Sequence, residues 1–447
     1  MKRKHFIITT LSLMLSWLML AGQENSGEMK LSVKEAQDYA LAYNKSIKSA
    51  RYDVDASRLT VWEIKSAALP QVSSSGGIVD NLKLRTMLLP GSFFSDPTPD
   101  KYYPVTFGTQ YNTNIGITAN LMLFNAPLYV GIQTSKLASK MAEMNLRKTE
   151  IDIKESVANA YYLILVSEES LRIINENLII LNELLKSTKA QLSVGMAEST
   201  DVDQMVSNVT MMENTRSAME SAIEVNYNLL RLLLGIKPEA KIALSESLTT
   251  ITGAINVEVL FSQELNYNSN INYQLIESQE KLSALSLKSK KRALIPSLGG
   301  YYSYSKEGQG NKLFHQSYFP TSMLGAQISI PIFSSGERNA SIKKAQVNLL
   351  KAQNNKDLMT DQLLLQEKQL KYNLISANLQ YISQKQNIEV AKRVYTSTEN
   401  KFRQGMASSL DLTQANSLYL QAENNYISAL MNLLQTKLAL DKLLNNM

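Results

Sequence analysis

The sequence contains no cysteine and only two histidines in 447 residues. The absence of cysteine excludes disulfide bonds and thiolate metal sites. One histidine, His5, lies in the N-terminal segment, so His315 is the only histidine after it. His315 lies in a loop rich in glycine and tyrosine, where a lone histidine is a weak candidate for a catalytic residue. The sequence also has no glycine-rich phosphate loop. We therefore expect no enzymatic activity, no cofactor and no metal site.

Long hydrophobic runs are also scarce. After residue 22 no stretch approaches 18 uninterrupted apolar residues, which excludes a transporter built from membrane-spanning helices. The run Phe6–Leu20 is shorter than the ~20 residues that a spanning helix needs. It follows basic residues 2–4 and precedes small and polar residues at 21–23, which is the layout of a secretory signal. We expect residues 1–22 to be a signal peptide, with an uncleaved anchor helix as the alternative.

Charge of one sign is not concentrated in any part of the chain. The formal net charge is +6, and Lys2, Arg3 and Lys4 supply half of it. Elsewhere acidic and basic residues are interspersed, whereas a nucleic-acid binder concentrates lysine and arginine on one face. The sequence therefore predicts no nucleic-acid partner.

Proline is missing from two long tracts, one between Pro127 and Pro238 and one after Pro331. Because proline is the residue least tolerated inside a helix, both tracts are free to be helical. One glycine divides each tract, Gly195 in the first and Gly405 in the second. The longer helices would reach ~100 Å, so coiled-coil packing is expected. The predicted long helices are 128–194, 196–234, 337–404 and 406–445.

Strict alternation of apolar and polar residues precedes each long tract. From Asn114 to Phe124 the odd positions are apolar and most even ones are polar or glycine, and the pattern recurs from Leu324 to Ile332. Alternation over about ten residues is typical of a transmembrane β-strand. A soluble hairpin is the alternative, but the export signal and the lack of spanning helices favour the membrane. The predicted strands are about 71–82, 112–124, 297–305 and 323–333, with aromatic-rich loops over 83–111 and 306–322.

The two halves of the chain repeat one order of elements: helix, strand, loop, strand, very long helix, glycine turn and shorter helix. Leu69-Pro70 corresponds to Ile295-Pro296, Phe124 to Phe333, and Gly195 to Gly405. Such self-similarity indicates an internal duplication. We expect a first repeat over 23–237 and a second over 238–447.

Four membrane strands are too few to close a barrel around a pore. In lipid every unpaired backbone amide or carbonyl costs several kcal/mol. Copies of the chain must therefore share one barrel, and an even strand count from eight upward leaves dimer, trimer and tetramer open.

The order of elements, the duplication, the strand exit Ile330-Pro331-Ile332-Phe333 and the glycine turns resemble the TolC family of outer-membrane efflux proteins. The resemblance runs from about Leu31 to the C-terminus. It implies a mainly α-helical fold with a transmembrane β-barrel: a homotrimer with a twelve-stranded barrel in outer-membrane lipid and a twelve-helix cylinder in the periplasm. It also implies docking onto a periplasmic adaptor protein and an inner-membrane pump or exporter that supplies the energy.

The resemblance assigns functions to the two glycine turns, which form the periplasmic tip in this family. The residues implied for adaptor docking are Val194, Gly195, Met196, Arg403, Gly405 and Met406. The residues implied for the periplasmic entrance are Asp201, Asp411, Gln204, Gln414 and Phe402. Well-known members tie their turns together with a tyrosine and an arginine, whose positions here hold Phe402 and Ala407.

Asp201 and Asp411 have a second interpretation. Both lie six residues after the glycine, at the start of the returning helix, where a carboxylate is favoured by the helix dipole. A second interpretation also exists for the whole chain, namely an exported coiled-coil protein that spans the periplasm without channel activity. Conductance in a planar bilayer separates these two functions.

Overall fold

The structure is a computed structural model that describes residues 29–94 and 102–447. The expected signal peptide at 1–22 lies outside the described residues. No helix in the described part of the chain combines the length and the apolar character needed to cross a membrane.

The first half of the described chain alternates short elements with two long helices. Its elements are β1 (Met29–Leu31), α1 (Val33–Tyr43), α2 (Lys45–Ser66), β2 (Gln71–Asp80), β3 (Arg85–Pro90), β4 (Tyr102–Phe107), β5 (Tyr111–Phe124), α3 (Ala126–Ser193) and α4 (Ser199–Leu234). The second half repeats this plan. Its elements are β6 (Ile242–Leu244), α5 (Leu248–Gly253), α6 (Val257–Ser262), α7 (Ile271–Arg292), β7 (Ser297–Gly310), β8 (Ser317–Ser329), α8 (Glu337–Arg403) and α9 (Ser409–Leu444).

The long helices differ from prediction mainly at the turns. The returning helices α4 and α9 begin at Ser199 and Ser409, three residues later than predicted, because extended capping residues, Glu198 and Ser408, precede them. Helix α3 begins two residues earlier than predicted, since the Asn125 side chain accepts a hydrogen bond from the Leu128 amide at 3.0 Å. Pro127 therefore lies in the first turn, where its missing amide hydrogen costs nothing.

The main sheet has four antiparallel strands in the order β2-β5-β7-β8. The second strand pair is longer than predicted: β7 extends to Gly310 and β8 begins at Ser317, so the predicted loop over 306–322 shrinks to 311–316. Pro320 indicated a loop, but it pairs opposite Lys306 in β8, an edge strand, where proline is tolerated. Strand β8 ends at Ser329, four residues before the predicted end.

The first predicted loop, 83–111, also contains regular structure. Strands β3 and β4 form an antiparallel hairpin within it, and Gly108 takes a φ of 100° where the chain turns into β5. Strand β2 ends at Asp80, two residues early. Both loops were predicted from their glycine, proline and aromatic residues, and both were predicted too long.

The strand register gives the four-stranded sheet two chemically different faces. One row across the sheet aligns Ala119, Tyr302 and Leu324. The neighbouring row, whose side chains point to the opposite face, aligns Thr118 with Ser303, and their hydroxyl oxygens lie 3.5 Å apart. The alternation in the sequence thus becomes an apolar face and a polar face.

The chain divides into two compact units that cut across the predicted repeats. One unit comprises residues up to 51, 145–274 and 359–447, and the other comprises 52–144 and 275–358. The second unit contains the four-stranded sheet, and the first contains both glycine turns. Each of the helices α3 and α8 contributes residues to both units.

The largest core in the first unit packs around Tyr161. Its hydroxyl donates to the Leu31 carbonyl at 2.9 Å and accepts from the Glu246 amide at 3.2 Å. It therefore links α3 to the small parallel sheet formed by β1 and β6. Buried aliphatic side chains surround this ring, among them Ile164, Leu230, Leu234, Leu430 and Leu434.

Gly235, which ends α4, can be tested against a matched glycine. Gly235 and Gly195 both have φ of 73°, but only at Gly235 would a Cβ atom collide, with the Tyr43 carbonyl. Gly195→Ala should cost ~1–2 kcal/mol of left-handed backbone strain, and Gly235→Ala should cost a further ~1–3 kcal/mol of overpacking. Urea unfolding of the detergent-solubilised protein, followed by circular dichroism, measures both. Equal losses would show that Tyr43 moves away without cost.

Candidate functional site

The two glycine turns have the same backbone geometry. Gly195 and Gly405 adopt left-handed φ values of 73° and 72°. The amide of the following methionine, Met196 or Met406, donates to the carbonyl five residues earlier at 2.8 Å in both turns. This bond closes the end of α3 and of α8 in a Schellman motif. The duplicated sequence therefore builds one turn twice.

Apolar side chains project from these turns into solvent. The exposed fractions are 68% for Val194, 81% for Met196 and 66% for Met406. Among the described residues, apart from the glycine and its two chain neighbours, no heavy atom lies within 4 Å of a Cβ placed on Gly195 or Gly405. The predicted docking residues of both turns other than Arg403 are thus accessible in the single chain.

Asp201 and Asp411 both cap the helices in which they lie. The Glu198 amide donates to Asp201 at 3.0 Å, and the Ser408 amide donates to Asp411 at 3.0 Å. The Ser408 hydroxyl also donates to Asp411, at 2.7 Å. These donors lower the pKa of the Asp411 carboxyl below its usual range. The local contacts of both aspartates thus agree with the interpretation in which each stabilises the start of its helix.

Asp201 has an additional partner that joins the two turns. The Ser409 hydroxyl, at the start of α9, donates to its second carboxylate oxygen. This bond, followed by the bond from the Glu198 amide, lowers the pKa of Asp201. Because the shift is downward, its contribution to stability is present above the ordinary pKa of aspartate and is lost as the pH falls through the lowered value.

Arg403 joins the hairpins at a second point. Its guanidinium donates to Glu399 at 3.0 Å within α8 and to Glu183 of α3 at 3.1 Å. The Glu399 contact has the i, i+4 spacing that a sequence can indicate. Nothing in the sequence pointed to Glu183 or Ser409, because their partners are more than 200 residues away. Arg403, predicted as a docking residue, is thus engaged in ion pairs.

Phe402 is buried in the single chain. It is 6% exposed and packs in a cluster with Tyr395, Leu412 and Tyr419. The structure therefore places the Phe402 ring in the packing between helices, and its assignment to the periplasmic entrance stays a prediction. The position follows α8 periodicity, since Tyr395 lies seven residues earlier on the same face.

The two glutamines of the predicted entrance lie on the returning helices. Gln204 and Gln414 are both exposed. Gln204 donates weakly to Asn208 at 3.5 Å, and Asn208 donates to Thr413 of α9 at 3.0 Å. Among the described residues no group of three acidic or histidine side chains is arranged to hold a metal ion.

Comparison with known proteins identifies the chain's relatives. The family model for outer membrane efflux proteins matches residues 37–236 and 276–446. The chain belongs to the outer membrane efflux protein family. This confirms the resemblance drawn from the duplicated elements and the glycine turns.

Curated relatives of this efflux family member come from several bacteria. It is 24% identical over 348 residues to the probable efflux pump outer membrane protein TtgC of Pseudomonas putida, a match that covers 74% of this chain and 66% of that protein. The match thus spans just under two thirds of that relative's length. It is 19% identical over 396 residues to the outer membrane protein TolC of Vibrio cholerae, covering 87% of this chain and 86% of the other.

A solved structure shows the fold. The outer membrane protein VceC of Vibrio cholerae superposes with a TM-score of 0.70 over 92% of this chain and 95% of its own, at 14% identity. The expected fold class, mainly α-helical with β-strands in the manner of outer membrane channels, is therefore confirmed, although the described chain has two short strand pairs, β1-β6 and β3-β4, besides the four predicted strands.

The tie between the two turns makes a measurable prediction. Ser409→Ala removes the hydroxyl that donates to Asp201, a bond between half-buried groups worth ~1 kcal/mol. Amide hydrogen exchange at the turns, 194–205 and 404–413, should therefore accelerate about fivefold. Ser417→Ala, at an exposed position of the same helix, is the control and should leave exchange unchanged. Identical rates in the two variants would mean that the tie does not hold the turns.

Proposed function

We propose that the chain is a subunit of an outer-membrane exit duct in a tripartite efflux or secretion system, and that it works as a homotrimer. One observation carries the proposal: a four-stranded sheet with two free edges continues into two long helical hairpins, in a chain of the efflux family. The duct itself performs no chemistry.

The sheet supports sharing of a barrel between copies. Strands β2 and β8 form its edges, and all ten residues of β2 are exposed. An open edge is prohibitive in hydrocarbon, because its amides and carbonyls have no partner. Pairing β8 of one copy with β2 of the next would satisfy every edge, and three copies would give twelve strands.

The helices support the same assembly. Exposed apolar residues recur at seven-residue spacing on α8, at Leu365, Tyr372 and Leu379. Exposed Val225 and Leu232 have the same spacing on α4. Such a seam is what a coiled-coil neighbour covers. A second copy that presents α4 to the free seam of α8 would bury both and repeat around a ring.

The proposed location and partners follow from the family. Residues 1–22 would direct export, the sheet would lie in outer-membrane lipid, and the helices would extend into the periplasm. Exposed Val194, Met196 and Met406 at the turns are suited to dock a periplasmic adaptor, which would connect the duct to an inner-membrane pump. Relatives support both branches of the proposal, since one is named as an efflux pump protein and another as an alkaline protease secretion protein.

The apolar face of the sheet can be tested for contact with lipid. Ile117→Arg puts a cation on the face that carries Ala119 and Tyr302, and should block membrane assembly because arginine at mid-bilayer costs ~2–4 kcal/mol per copy. Thr118→Arg, on the polar face of the same strand, is the matched control and should assemble. Detergent extraction followed by native mass spectrometry counts the copies. Equal damage by both variants would contradict the assignment of faces.

Conductance tests the duct directly. The lowered pKa values keep Asp201 and Asp411 ionised at neutral pH, and symmetry would bring one of each from every copy to the entrance. Purified protein in a planar bilayer should therefore conduct with cation selectivity and be blocked by divalent cations. Asp201→Asn with Asp411→Asn should remove most of both effects. Absence of any conductance would favour the alternative, a structural coiled-coil protein.

A further inference from the structure

Two polar layers interrupt the packing between α3 and α9. The Asn177 side-chain amide donates to Asn416 at 3.0 Å, and the Ser170 hydroxyl lies 3.4 Å from a carboxylate oxygen of Glu423. Each pair is seven residues from the other along both helices, so the two layers occupy the same heptad position. All four residues are buried, between 2% and 4% exposed.

The layers lie between apolar clusters. Ile173 and Tyr419 pack in one cluster, and Leu178 packs in another with α4 residues and the partly buried Leu420. Because α3 belongs to the first hairpin and α9 to the second, these contacts join the two hairpins. A polar group here changes how the hairpins hold together.

The surroundings of Glu423 provide little stabilisation for a negative charge on its carboxyl group. One of its carboxylate oxygens is buried without a hydrogen-bond partner, and the Ser170 hydroxyl is the sole contact described for the other. The buried asparagines share one hydrogen bond and carry no charge, although the Asn177 side-chain oxygen has no partner. A buried carboxylate, in contrast, needs a cation or several donors once it is ionised. The Ser170–Glu423 layer is therefore the one whose chemistry depends on a proton.

The cation whose charge favours an ionised Glu423, Arg172, is already paired with other carboxylates. Arg172 of α3 donates to Glu169 at 2.7 and 2.9 Å and is also bonded to Glu176. Glu169 repels a charge on Glu423. From α9, Tyr419 lies one turn away, and its ring stacks on Tyr395 of α8 at 5.7 Å. The facing groups therefore supply more negative charge than free positive charge.

Burial in this setting raises the pKa of the Glu423 carboxyl to about 7. The folded pKa lies above the ordinary 4.5, so the packed state binds the proton more tightly. Its contribution to packing is complete below about 4.5 and is lost as the pH rises through about 7. Between pH 5.5 and 8.5 the carboxyl group therefore passes from mostly protonated to mostly ionised.

We propose that the Ser170–Glu423 layer is a proton-dependent latch between the two hairpins. With a neutral carboxyl group the hairpins stay packed along α3 and α9. Loss of the proton leaves an uncompensated charge between them, and separation of α9 from α3 lets water reach it. The neighbouring Asn177–Asn416 layer holds the register at every pH. That this movement widens a duct rests on the function proposed above.

Distance measurements test the latch without relying on channel activity. The chain has no cysteine, so spin labels can be placed at Asn175→Cys and Asn424→Cys, exposed positions on α3 and α9. Between pH 5.5 and 8.5 the distance between labels should lengthen, with a midpoint near 7. In Glu423→Gln, nearly isosteric and always neutral, it should stay at the low-pH value. Glu423→Met should behave in the same way.

The control is Glu213→Gln, which neutralises an exposed carboxylate on α4 and should keep the response to pH. The latch is overturned if the distance between labels still responds to pH in Glu423→Gln. It is also overturned if that distance stays constant in the labelled protein that retains Glu423. Bilayer conductance of the same proteins separates the two proposals. A conductance that follows the distance supports both, whereas a pH-dependent distance without conductance supports the latch and counts against the duct.

Discussion

Backbone amides and carbonyls at the edges of the four-stranded sheet set the constraint on which the rest of the structure depends. Within residues 29–94 and 102–447 this sheet has four strands, and the outer edges of β2 and β8 have no strand beside them. Such edges are incompatible with hydrocarbon unless another strand completes them. The proposed sharing of one barrel between copies rests on that requirement. The exposed seams of the helices are a second surface that a neighbouring copy could cover.

The turns at the end of the hairpins must end one long helix and start the next. Left-handed glycines close α3 and α8, and the aspartates that follow satisfy the first amides of α4 and α9. Asp201 also accepts a hydrogen bond from the Ser409 hydroxyl of the other hairpin. Arg403 likewise donates a hydrogen bond to Glu183 of the other hairpin. The Arg403–Glu183 contact is exposed and the Ser409–Asp201 bond is half-buried, and exposed ion pairs contribute little individually. A closure made of several weak contacts can therefore open without a large energy input.

Deeper in the bundle the contacts between the hairpins are of another kind. Apolar layers supply most of the attraction, and the asparagine layer supplies register, as buried polar residues do in coiled coils. Glu423 adds a group whose fit depends on its protonation. The hairpins are thus held by surface ties at the turns and by a proton-sensitive layer further along, two mechanisms that can act separately.

The sequence by itself determined the elements that depend on local periodicity. Alternation predicted the strands at 112–124 and 323–333 as membrane-type strands, tracts free of proline predicted the long helices, and the repeated Gly-Met-Ala turns indicated the family. Strand ends were less accurate, since Pro320 is acceptable only because β8 is an edge strand. Tertiary structure alone decided that Ser409 bonds to Asp201 and that Glu423 faces Ser170. Each of these depends on which helix packs beside which, and residues more than 200 positions apart carry no local pattern that records their contact.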